Sequence, residues 1–150
     1  MKAENFELAD ETGEMHKLSE YKGKWVVVYF YPKDDTPGCT KEACNFRDNL
    51  SELTAMGVVV LGISKDSQKS HAKFKEKYHL NFPLLSDEGL ETIKKYGAFG
   101  EKKFMGKTFN GVLRKTYLID PNMNIAKVYD KVDVTKHAAE ILRDIEELKN

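Results

Sequence analysis

The chain has 150 residues, with 24 Lys and Arg against 24 Asp and Glu. The neutral total argues against a nucleic-acid-binding surface, and charges spread over 32% of positions without a one-sign block describe a solvated exterior, not a disordered tail. No apolar stretch approaches the roughly 18 residues of a membrane span, and acidic groups stand where a signal peptide has its apolar centre. The expectation is one domain, residues 1–150, soluble and cytoplasmic. There two cysteines rest as thiols, and any disulfide between them is transient.

In chain order, Phe6–Leu8 and Met15–Leu18 flank the turn signal Asp10–Gly13 and predict an N-terminal hairpin. Trp25–Tyr31 is β-branched and aromatic throughout and reads as a buried central strand. From Gly38 to Met56, Ala43, Phe46, Leu50 and Leu53 recur at three- and four-residue steps, which predicts a helix stopped by Gly57. Val58–Ile63 is a second buried strand. Ser67 caps a second helix, Ser67–Tyr78, that turns Phe74 and Tyr78 inward. Phe82–Leu85 is a short strand, placed by Pro83 near an edge or a strand start. Leu90–Tyr96 is a short helix, and the stretch 97–111, rich in Gly and Lys without clear periodicity, reads as a long loop. Thr116–Ile119 and Ile125–Tyr129 form a hairpin around Asp120–Asn124, and Thr135–Leu148 is a closing helix. Helices between buried strands give an α/β fold, with a partly parallel sheet made mixed by the terminal hairpin.

The chemistry concentrates in residues 31–44, which hold the only two cysteines. Thr36 suits an N-cap, Pro37 the first helical position, and Gly38 lets another group approach the backbone closely. Cys39 then falls in the first turn of a helix, where the dipole and free N–H groups favour thiolate. A buried structural cysteine is the competing reading. Cys44 lies five residues on. In an ideal helix that spacing separates the Cα atoms by about 8–9 Å, beyond the roughly 7 Å a disulfide tolerates. The two thiols therefore never pair, or pair only when the helix start unwinds. The unwinding reading is preferred, with Cys44 as a buried spectator kept open. His16, His71, His79 and His137 are scattered and form no ligand pair, so no metal is expected, and the spacing is not Cys-x-x-Cys.

The run from Pro32 through Thr36 to Cys39 resembles the Pro-x-x-x-Thr-x-x-Cys signature of the peroxiredoxins. Thr40–Cys44, Gly97–Lys107 and Gly111–Asp120 are similar to the subgroup called bacterioferritin comigratory protein or PrxQ. Phe99 departs from it, because that subgroup often carries Trp there. The likeness runs almost end to end. It implies a thioredoxin-like fold with a mixed central sheet flanked by helices, and reduction of hydrogen peroxide and small organic hydroperoxides. By position, Cys39 is the peroxidatic cysteine and Cys44 the resolving one. Thr36 and Arg114 serve the peroxide, and Pro32 shields the thiolate. Arg114 by itself reads as an exposed residue before a strand. Lys33, Asp34 and Asp35 read as turn residues on a solvated loop, and Tyr29, Phe30 and Tyr31 as mostly core. The resemblance also implies recycling by thioredoxin or a similar dithiol and needs no metal, flavin or haem. An intramolecular disulfide suits a monomer. A one-cysteine peroxidase resolved by an external thiol and a non-catalytic redox sensor are the competing readings; a general disulfide reductase is weaker, lacking Cys-x-x-Cys.

Overall fold

The computed structural model describes residues 1–149. Strands β1 (Glu7–Ala9) and β2 (Met15–Lys17) form the N-terminal hairpin, and a 3-10 turn at Leu18–Tyr21 leads to β3 (Trp25–Phe30). Helix α1 (Pro37–Ala55), β4 (Val58–Ser64), α2 (Gln68–Tyr78), β5 (Leu84–Ser86) and α3 (Glu91–Lys95) follow. Then come β6 (Phe99–Phe104), β7 (Lys107–Val112), β8 (Lys115–Ile119), β9 (Ile125–Tyr129) and α4 (His137–Lys149). One sheet of seven strands runs in the order β2-β1-β5-β4-β3-β8-β9. Strands β3, β4 and β5 are mutually parallel, while β8 pairs antiparallel with β3 and β9 with β8. The sheet is thus mixed, as expected.

Strand alternation divides β3 between two cores. Val27 and Tyr29 face one side with Ala43, Phe46 and Leu53 of α1, Phe74 of α2, and Ile141 and Ile145 of α4. Val26, Val28 and Phe30 face the other with Ile93, Tyr96 and Tyr117. A side chain on either face of β3 is covered, so the strand reads as a continuous apolar run. Gly62 in β4 leaves room for the Tyr29 ring, since a Cβ there would stand 2.9 Å from its atoms. Pro83 directly precedes β5 and so sits at a strand start. Ser67 caps α2 by accepting from the Ser70 N–H at 3.1 Å.

The segment 97–111 is not a loop. It folds as the β6–β7 hairpin, with Phe104 opposite Lys107 and the turn at Met105 and Gly106, both at positive φ. Most of its residues are exposed on both faces, so burial imposes no alternation on the sequence. Asp34 is likewise not a solvated turn residue; only 7% of it is exposed.

Candidate active site

The site forms where three local structures meet: the segment after β3, the first turn of α1, and the link between β7 and β8. Pro32 is half-buried at the end of β3. Thr36 occupies the N-cap position of α1 through its backbone, its carbonyl accepting from the Thr40 N–H at 2.8 Å. Its side chain does not cap the helix. The hydroxyl instead donates to the Lys33 carbonyl at 2.9 Å, which leaves the oxygen lone pairs uncommitted. The N–H groups of Gly38 and Cys39 precede that first helical bond, so the helix start presents free donors beside the thiol.

Cys39 is 1% exposed and belongs to the core cluster under α1. Arg114 reaches it from the β7–β8 link. Its Nη2 stands 3.3 Å from Cys39 Sγ, and its Nη1 donates to Glu42 Oε1 at 2.6 Å. Gly38 makes the approach possible: a Cβ at that position would lie 3.0 Å from Arg114 Nη2. The close approach expected at Gly38 is therefore made by the Arg114 guanidinium.

Glu42 escaped the sequence reading. It lies three residues after Cys39 and shares its helix face, next to Ala43 on the buried side. An acidic residue on an otherwise apolar stripe was the available signal. The side chain is fully buried, and its Oε2 has no hydrogen-bond partner among the described residues. Burial lifts its carboxyl to about 7 against the pull of Arg114. Burial also works against the charge of Arg114, but Glu42 and Cys39 outweigh it, so the guanidinium is held more firmly protonated. The Tyr29 hydroxyl is buried and lacks a partner among the described residues, and burial, then Glu42, push it well above its ordinary range. Tyr29, Phe30 and Tyr31 are all core residues.

Cys44 is half-buried on the same unbroken helix, and both thiols are free. The helix keeps them apart in this state, as the spacing requires. The histidines are less scattered than the chain order implies. His16 joins Asp10 and Glu14, and His71 joins Asp34 and Asp66. Both ring nitrogens of His71 are engaged, one by Asp34 and the other by the Leu85 carbonyl.

The family model described as AhpC/TSA matches residues 1–128. The chain belongs to this peroxiredoxin family. It is 53% identical over 141 residues to a putative peroxiredoxin Bcp of Coxiella burnetii, covering 94% of this chain and 93% of the relative. It is 45% identical over 147 residues to peroxiredoxin Bcp of Bacillus subtilis, covering 98% and 94%. Among solved structures, a cysteine-to-serine mutant of Xylella fastidiosa PrxQ superposes with TM-score 0.94 at 33% identity, covering all of this chain and 96% of that one. The bacterioferritin comigratory protein of Xanthomonas campestris, described for its alkyl peroxide reduction, gives 0.90 at 35% identity over 97% and 92%. The fold is thus the peroxiredoxin form of the thioredoxin-like architecture, and the chain falls in the Bcp/PrxQ branch. Peroxiredoxins are thiol peroxidases, and this coarse activity comes with the family. No described helix is long and apolar enough to cross a membrane.

Proposed function

We propose that this peroxiredoxin reduces hydrogen peroxide and small organic hydroperoxides through Cys39, with Cys44 resolving the oxidised form and thioredoxin or a similar dithiol restoring both. The observation that carries the reading is the Arg114 fork, one nitrogen on Cys39 Sγ and the other on Glu42. The Cys39 thiolate attacks the terminal peroxide oxygen, the O–O bond breaks, and the departing oxygen leaves as alkoxide or hydroxide and takes up a proton. Charge develops on that oxygen beside Arg114 and the free N–H groups at the start of α1. Fixed donors aimed at developing charge lower such a barrier. The Thr36 hydroxyl has lone pairs to accept from the peroxide, and Pro32 shields the thiolate. Cys39 is then a sulfenic acid.

For Cys44 to attack, the first turn of α1 must open, because about 8–9 Å separates the two Cα atoms on an intact helix. Cys44 sulfur bonds to Cys39 sulfur, the hydroxyl leaves as water, and a disulfide forms within one chain. A dithiol reduces it by exchange. No step requires a second subunit, so a monomer of one domain, residues 1–150, suffices. The reliance on resting thiols suits the cytoplasm.

The test is peroxide consumption coupled to thioredoxin, thioredoxin reductase and NADPH, with intact mass after one equivalent of peroxide. Multiple turnovers lost in Cys39→Ser, with loss of two hydrogens in the parent, support the scheme. Addition of oxygen without disulfide in the parent would transfer resolution to an external thiol. Cys44→Ser should trap the sulfenic acid. One slow oxidation without turnover would leave a redox sensor.

A further inference from the structure

A buried polar network fastens the segment just upstream of the reacting cysteine, yet none of it touches the sulfur. Asp34 is its centre. Its Oδ1 accepts from the Tyr31 hydroxyl at 2.6 Å. Its Oδ2 accepts from the Ser70 hydroxyl at 2.8 Å and faces His71 Nδ1 at 2.7 Å. Its backbone N–H donates to Asp66 Oδ2 at 2.9 Å, and that same oxygen is held by the Ser64 hydroxyl at 2.7 Å. His71 has a side chain fully removed from solvent, and its Nε2 stands 3.0 Å from the Leu85 carbonyl oxygen. A carbonyl only accepts, so Nε2 carries hydrogen, and another hydrogen lies between Nδ1 and the Asp34 carboxylate.

The network therefore ties the end of β3, the loop after β4, α2 and β5 to one residue of the cysteine segment. Asp34 is two residues from Pro32 and two from Thr36. Burying a carboxylate against a histidine stabilises a fold little, because desolvation offsets the attraction. What a fully bonded buried network does supply is one defined geometry. Building on the peroxidase reading above, we infer that His71 is a positioning residue: through Asp34 it holds Pro32–Thr36 in the peroxide-binding arrangement and fixes the point at which unwinding of α1 stops.

Two substitutions separate this from a general structural role. His71→Asn keeps a donor where Nδ1 stands, facing Asp34. His71→Gln keeps one where Nε2 stands, facing Leu85, and abandons Asp34. Rapid quench with intact mass gives the rate of first oxidation, read as added oxygen in a Cys44→Ser background, and the rate of disulfide formation with Cys44 present. Displacing a positioned group by about 1 Å can cost up to about 100-fold, so His71→Gln should slow first oxidation by about 10-fold or more without slowing disulfide formation, while His71→Asn stays within about threefold of the parent on both. Ser70→Ala, which removes one donor from the half-buried edge of the network, should slow first oxidation by about two- to tenfold. Equal first-oxidation rates in the two His71 variants, or losses that simply follow melting temperature, would overturn the inference. Should either His71 variant fail to fold, an unchanged rate in Ser70→Ala overturns it instead. A parent that peroxide does not oxidise at Cys39 sinks the peroxidase reading itself, and that is seen before any network variant is made.

Discussion

Asp34 and Asp35 are fastened to α2 by side chains, whereas the turn that begins one residue later, Thr36–Thr40, is held by almost none. Asp34 has the buried network around His71, and Asp35 accepts from Lys77 Nζ at 2.8 Å and the Tyr78 hydroxyl at 2.7 Å. Among the described residues, and apart from bonds within the helix itself, the helix start has no side-chain cap and is held by the backbone bond from Thr40 to Thr36, the Thr36 hydroxyl bond to Lys33, and the Arg114 contact to the buried Cys39. The end of the loop and the first turn of the helix that follows it are thus held in different ways. A peroxide site needs groups fixed in place, and a disulfide across five residues of helix needs a turn that opens. On the mechanism proposed above, both needs fall on this segment, with the boundary between them at Thr36.

If the turn is held chiefly by Arg114, that residue carries the largest effect. Arg114→Ala removes the donor at Cys39 Sγ and leaves the buried Glu42 without its partner. Loss of one such donor costs about 10²–10³ in rate, and first oxidation should fall by that factor while disulfide formation from a preformed sulfenic acid does not slow. Arg114→Lys should recover little, because an ammonium donates from a single flexible point and lacks the two rigidly separated nitrogens that reach Sγ and the carboxylate. Rapid-quench rates of both steps check this. Equal slowing of both steps would place the holding contacts elsewhere.

Glu42 sharpens the comparison through pH. Its carboxyl sits at about 7 in the folded protein against an ordinary 4.5, chiefly because it is buried. The folded state therefore binds more protons than the unfolded chain between those values. Stability from this group is fully present below about 4.5, is lost as pH rises through about 7, and is level above that. The difference corresponds to about 3 kcal/mol. Denaturant titrations from pH 4.5 to 8 should show that decline in the parent and lose most of it in Glu42→Gln. A parent curve with the same slope as the variant would mean that Arg114 keeps Glu42 ionised throughout.

How much of this was legible depended on what burial imposes on a sequence. The strand Trp25–Phe30 and helices α1, α2 and α4 were readable because each has an apolar run or stripe facing one of the two cores. The cysteine segment was readable because Thr, Pro and Gly have few reasons to stand together except at a helix start. The β6–β7 hairpin was not, since strands exposed on both faces carry no period and only the Met105–Gly106 turn marks them. Asp34, Glu42 and His71 were missed for a common reason. Polar residues are assigned to the surface by default, and only their partners, distant in sequence, reveal that they are inside. Glu42 to Arg114 spans 72 positions, and Asp34 to His71 spans 37. For Thr36 the position was legible but the use of its hydroxyl was not, since capping and donation to Lys33 both satisfy it.

The smallest expected effect is also the one that reads the turn most directly. Gly38 is in the first turn of α1, where glycine keeps the chain loose, and Gly38→Ala should stiffen that turn by about 0.5–1 kcal/mol. If opening of the turn limits resolution, disulfide formation slows by about two- to fivefold. The added Cβ also comes within 3.0 Å of Arg114 Nη2, which needs to give only a few tenths of an ångström, a shift small enough for its bonds to Cys39 and Glu42 to persist. First oxidation should therefore fall less than resolution does. The two rates move in the opposite order if Gly38 serves mainly as the passage for Arg114: oxidation would then drop and disulfide formation would hold. Measured together on one variant, they decide whether the glycine is there for the motion of the helix start or for the approach of the guanidinium.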